Sequence, residues 1–188
     1  GMSMDGGRFF YPNPLSSDGK YAFNADGNTT RQPWFGCACC PSNLCRFIPS
    51  VPGYLYGVKD NNIYVNLFAG NTSTIKVNGK DVVLEETTEY PWNGDIKIAV
   101  KKSGVKNANL LVRIPGWVRN QVVPSDLYKY SDAEKPAYSV TVNGKVVEAD
   151  LDANKGYLPV KNIKKGDVIR IHFDMPIRTV VANGKVAD

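Results

Sequence analysis

The sequence has one histidine, no block of like charge, and no uninterrupted apolar stretch near the ~18 residues that a membrane-crossing helix requires. Its first residues show no basic segment leading into an apolar one, so no membrane association is expected and the compartment stays open. The 23 Lys and Arg exceed the 18 Asp and Glu by enough to give +5, but they are scattered instead of grouped, which argues against a nucleic-acid surface. The densest basic group, Lys161, Lys164 and Lys165, precedes Gly166-Asp167 and reads as a solvated turn before a strand. Helical periodicity is almost absent as well.

Two compositions follow one another along the chain. Residues 1–50 are rich in Gly, Pro, Ser and Asn, with little apolar periodicity, and read as ordered loops that need a surface to lie against. The one helix expected there runs from Pro41 to Ile48, with Leu44, Cys45 and Ile48 on a shared face and Pro49 as its stop. From Tyr54 onward, short β-branched and aromatic runs alternate with turn signals. The expected fold class is therefore all-β: an antiparallel β-sandwich, jelly-roll-like, over residues 51–188, preceded by a loop-rich segment with one short helix.

Candidate strands cover 54–58, 62–68, 74–77, 82–88, 95–100, 109–114, 138–142, 157–160, 167–173 and 178–181. In the second, Ile63, Val65 and Leu67 are expected on one face and Tyr64, Asn66 and Phe68 on the other. Asn78-Gly79 and Asn143-Gly144, each following a β-branched run, predict tight two-residue hairpins. Asn183-Gly184 repeats the signal so near Asp188 that its partner strand is expected beyond the chain, as if the sandwich were truncated at its C-terminal edge.

The sharp chemical signal is the clustering of all four cysteines in Cys37-Ala-Cys39-Cys40-Pro-Ser-Asn-Leu-Cys45. A disulfide between neighbours such as Cys39 and Cys40 is disfavoured, because Cα atoms ~3.8 Å apart lie below the usual bridging range. Thiols on one short loop suit a soft metal, with zinc favoured for tetrahedral sulfur-rich coordination. Placement just before a helix also favours the thiolate, since unpaired N–H groups and the macrodipole stabilise negative charge there. The alternative is that these cysteines are small buried hydrophobes or a redox-labile loop. Cys45, on the apolar side of the short helix, is expected in a core. The sequence offers no second knuckle, and His172, in an alternating strand, reads as an edge or core-lining residue and a poor ligand.

Trp34-Phe-x-Cys37-x-Cys39-Cys40-Pro-x-Asn43 followed by Arg46 resembles the signature of glycoside hydrolase family 127, the β-L-arabinofuranosidase group. The likeness extends to Asp5-Gly-Gly-Arg-Phe-Phe-Tyr-x-Asn-Pro-Leu15, Leu111-Val-Arg-Ile-Pro-Gly-Trp117, Val140-Thr-Val-Asn-Gly144 and Met175-Pro-Ile-Arg178. It implies that residues 1–50 end a catalytic helical barrel and that the whole protein is a retaining hydrolase of arabinofuranosides or related plant glycans. Cys39 would be the zinc-bound nucleophile, Cys40 a second zinc ligand, and Cys37 a further site cysteine. The general acid/base glutamate, and the Glu and Cys that complete the zinc site, would lie on the barrel upstream of Gly1; neither Asp18 nor Asp26 stands in a family position. Without a proton donor, on the order of 10² to 10⁴ in rate is forfeited, so the isolated chain is expected to be inactive and to hold zinc weakly or not at all. The expected partners are a carbohydrate and the upstream barrel.

A reading of another class remains: a noncatalytic carbohydrate-binding or structural sandwich, in which Trp34, Trp92 and Trp117 either stack on sugars or pack at corners beside Pro and Gly.

Overall fold

The computed structural model describes residues 2–12, 14, 16–37 and 39–186, with Cys40 and Pro41 described by their backbone alone. The chain divides into two compact units, residues 1–51 and 52–188.

The first unit has little regular structure. Isolated bridges join Met2 to Phe9 and Phe9 to Gln32, and Ala25–Gly27 forms a 3-10 turn. Helix α1 spans Cys39–Ser50, longer at both ends than expected. At its start, Pro41 lies in the first turn, where N–H groups have no intrahelical acceptor to lose. At its end, Pro49 forfeits its own hydrogen bond without forbidding helical φ, so the turn closes one residue later. Cys45 is exposed, contrary to the expected core position, as are Leu44, Phe47 and Ile48. The apolar face read from spacing exists, but it stays uncovered among the described residues of this unit.

The second unit begins with the single turn α2 (Pro52–Leu55) and continues as strands. A four-stranded sheet is ordered β1 (Tyr56–Lys59), β2 (Asn62–Val65), β6 (Asn109–Arg113) and β10 (Tyr157–Val160). A six-stranded sheet is ordered β3 (Asn71–Val77), β4 (Lys80–Thr88), β5 (Asp95–Ser103), β11 (Val168–Phe173), β8 (Tyr138–Val142) and β9 (Lys145–Val146). Pairing is antiparallel throughout, except that β2 runs parallel to β6. Asn78-Gly79 and Asn143-Gly144 turn β3 into β4 and β8 into β9, each with positive φ at both residues, which Asn and Gly reach at least cost.

Alternation builds one core between the sheets. Ile63 and Val65 of β2, Leu110 and Val112 of β6, and Leu158 and Val160 of β10 meet Val82 and Leu84 of β4, Ile96, Ile98 and Val100 of β5, and Ile169, Ile171 and Phe173 of β11. The expected alternation through residue 68 breaks where β2 ends at Val65: Phe68 turns inward against Phe173, at 5.7 Å between ring centroids, while Leu67 is exposed. A bulge opposite Val83 and Leu84 leaves Lys101 as an unpaired extra residue in β5, on the solvent side. His172 corrects a second expectation. It lies on β11, between β5 and β8, and faces outward, with Nδ1 2.7 Å from Asp95 and Nε2 3.2 Å from Asp174. The hydrogen bond to Asp95 is the main reason its pKa is raised.

A two-stranded ribbon pairs β12 (Val180–Ala182), which overlaps the strand expected at 178–181, with β7 (Tyr128–Tyr130), which sequence patterning did not reveal because three residues carry no measurable period. Arg178 anchors it. Its guanidinium lies 3.5 Å from the Tyr130 ring centroid, and Nη2 donates to Asp132 at 2.6 Å and to Asn120 at 2.7 Å.

Glu86 interrupts the apolar inner face. It occupies a core-facing position of β4 and is 2% exposed. The Ala69 N–H donates to Oε1 at 3.1 Å and the Tyr56 hydroxyl to Oε2 at 3.0 Å. These bonds favour the carboxylate, but burial outweighs them and pushes the pKa up to about 7 from 4.5. Between those values the folded state keeps a proton that the unfolded state has released, so stability is fullest below pH 4.5 and falls as pH rises to 7. Glu86→Gln, which stays neutral, should flatten this decline and raise stability at pH 8 by on the order of 2 kcal/mol, read from urea midpoints across pH.

Candidate functional site

The cysteine loop is positioned by the N-terminal segment. Phe9 exchanges backbone hydrogen bonds with Gln32 at 2.9 and 3.0 Å, which sets residues 9–11 beside the segment that carries Phe35. Phe35, 3% exposed, then fills the space between them, with its ring 4.9 Å from Phe9 and 5.4 Å from Tyr11, both edge-to-face. The Asn24 side chain, buried in this unit, accepts from the Tyr11 N–H at 2.9 Å and donates to the Thr30 carbonyl at 2.8 Å. Tyr11 is thus fixed at both backbone and ring.

Its hydroxyl lies 3.1 Å from Cys39 Sγ. Cys39 is the first residue of α1, and the Ser42 hydroxyl donates to its carbonyl at 2.9 Å. The Tyr11 pKa is raised above its ordinary value, first by the hydrogen bond with Cys39 and next by Cys37. Tyr11 therefore keeps its proton at neutral pH and can donate it to sulfur. Cys37 and Cys39 are both exposed, and Cys39 is the one in hydrogen-bond reach of this hydroxyl. Cys40 follows Cys39 in the helix, and its side chain lies outside the described residues.

The chemistry of this donor set suits a soft ion, since Cys37 and Cys39 are exposed thiols two residues apart. A tetrahedral site needs four ligands, and among the described residues no group of three or more His, Cys, Asp or Glu side chains gathers. Sequence reasoning found the sulfurs and missed Tyr11, although Phe9-Phe10-Tyr11 stands within the segment that carries the family likeness. The Phe9–Gln32 pairing, Phe35 and Asn24 together bring its hydroxyl across 28 residues to Cys39.

The three tryptophans divide. Trp34 and Trp92 are exposed, and Trp117 is half-buried with its ring 5.9 Å from that of Phe173.

Comparison with known proteins agrees with these features. Residues 62–175 match the family model described as β-L-arabinofuranosidase, GH127 middle domain, and residues 1–53 match the β-L-arabinofuranosidase, GH127 catalytic domain. The chain belongs to glycoside hydrolase family 127. It is 30% identical over 196 aligned residues to a non-reducing end β-L-arabinofuranosidase of Bifidobacterium longum subsp. longum, covering 99% of this chain and 26% of that protein. Among solved structures, a GH127 β-arabinofuranosidase superposes with a TM-score of 0.87 at 54% identity, over 98% of this chain and 28% of its own. A GH127 β-L-arabinofuranosidase from Geobacillus stearothermophilus T6 gives 0.76 at 32% identity, over 98% and 27%. The chain thus spans about a quarter of the length of these relatives.

Tyr11→Phe should slow alkylation of Cys39 by iodoacetamide about fivefold while leaving Cys45 unchanged, because a donor to the thiolate worth about 1 kcal/mol is lost. Peptide mass spectrometry after timed labelling gives both rates from one sample.

Proposed function

We propose that the chain is part of a retaining glycoside hydrolase acting on β-arabinofuranosides, with Cys39 as its nucleophile. The observation that supports this most is the Cys37–Cys39–Tyr11 arrangement within a segment matching the family's catalytic domain. Residues 1–50 form the end of the catalytic barrel, and the sandwich of 51–188 follows it.

In this mechanism the Cys39 thiolate attacks the anomeric carbon and expels the leaving alkoxide, giving a thioglycosyl intermediate. Water then attacks the same carbon and releases the sugar with retained configuration, so sulfur performs the task that retaining glycosidases usually assign to a carboxylate. Tyr11 holds the Cys39 sulfur by its hydroxyl and, by donating, stabilises the thiolate both before attack and after the sugar leaves. Cys39 and Cys40 would hold a zinc ion, with Cys37 beside them, and bound zinc would supply the charge that keeps the thiol deprotonated. The remaining ligands, and the glutamate that protonates the leaving oxygen, belong to the barrel upstream of this chain.

A chain extended upstream through the barrel should hydrolyse a β-L-arabinofuranoside and carry about one zinc, whereas the 188-residue chain should show no turnover and little metal. In the extended protein Cys39→Ala should lower kcat by at least about 10³ with an unchanged melting temperature. Hydrolysis at the unsubstituted rate by that variant would remove Cys39 from the mechanism.

A further inference from the structure

A cleft of about 420 Å³ in the sandwich unit lies where β6 leaves its sheet and meets the start of β10. Arg113 ends β6, and the 3-10 turn Gly116–Arg119 presents Trp117 and Arg119. Lys155 and Tyr157 approach from the other side. Three cations thus line one concavity, and none of its lining residues is acidic.

Arg119 is the informative member. Its side chain is 28% exposed, and the guanidinium packs so closely on Gly156 that a Cβ there would come within 3.0 Å of it. Gly156 has φ +83, which a side chain would also resist. The Nε of Arg119 is buried and has no hydrogen-bond partner among the described residues. Its nearest acid, Asp152, stands 4.0 Å from Nη1 with its carboxylate almost wholly in water, where an ion pair contributes little. A buried N–H without an acceptor costs free energy, and the exposed part of the same guanidinium can take an oxyanion in charge-assisted hydrogen bonds.

The walls are aromatic. Tyr157 is held by its hydroxyl bond to Asn66 at 2.8 Å and by Tyr64 edge-on at 5.2 Å. Trp117 is held from behind by Phe173. Fixed rings beside cations suit a ligand with an apolar face and an anionic substituent, as a sugar acid has.

We propose that this cleft binds a uronate-containing saccharide, with its carboxylate on Arg119 and Lys155 and its ring against Trp117 or Tyr157. The anionic half of this inference stands on the cleft alone; the saccharide half rests on the proposed glycan hydrolysis.

Isothermal titration of the chain with digalacturonate should show saturable binding, weaker by about tenfold or more for neutral galactobiose and for inorganic phosphate. Arg119→Gln should weaken digalacturonate binding by about tenfold, as the loss of one charged hydrogen-bonding group predicts. Should that variant fail to fold, Lys155→Gln, an exposed change, should weaken binding by about threefold with an unchanged melting temperature. Absence of saturable binding, equal affinity for galactobiose, or equal affinity for phosphate would each overturn the proposal. Its failure is separable from that of the hydrolase reading, because this titration does not involve Cys39 and the Cys39→Ala assay does not involve Arg119.

Discussion

Two sheets that each bury one face against the other constrain everything else in the larger unit. A side-chain period of two places Val82, Leu84, Ile96, Ile98, Ile169 and Ile171 on the inner side of one sheet and Ile63, Val65, Leu110, Val112 and Leu158 on the inner side of the other. At roughly 25 cal/mol per Å² of apolar surface removed from water, this shared layer is the main favourable term in folding the sandwich. A one-residue slip in any of these strands would turn its apolar set to solvent, so the register is strongly specified. The Lys101 bulge and the positive-φ turns at residues 78–79 and 143–144 are tolerated because they sit outside that layer.

Glu86 shows what the layer does to a group that does not match it. The pleat directs its carboxyl inward, the Tyr56 hydroxyl and the Ala69 N–H satisfy its oxygens, and burial still makes its charged form costly. It ties β4 to β1 and to the loop before β3 at the expense of stability above neutral pH. Arg119 is the cationic counterpart: enclosed by Gly156 and the corner after β6, it retains an N–H without an acceptor. In both cases the backbone geometry puts a polar group where water is scarce, and in the second the rest of the guanidinium stays open to the cleft.

The cysteine segment obeys a different logic. It has no sheet to impose a register, and its order comes from one aromatic, Phe35, packed between Phe9 and Tyr11, and from one side chain, Asn24, that holds the Tyr11 backbone. The outcome is chemical more than architectural: a phenol meets a thiol at the start of α1. Leu44, Phe47 and Ile48 of that helix stay exposed.

Sequence alone was enough for the β-rich class, for most strands, for both Asn-Gly hairpins, and for the sulfur cluster with its family likeness. Those features depend on neighbours within a few residues, where periodicity, turn chemistry and motif spacing act. Tertiary structure decided what depends on distant partners: the β7–β12 ribbon, the parallel β2–β6 pair, the outward face of His172, the exposure of Cys45, and the approach of Tyr11 to Cys39. The physical reason is common to all five. A strand's partner, a helix's cover and a hydroxyl's acceptor are chosen by which surfaces the folded chain brings together, and local pattern carries no information about residues dozens of positions away.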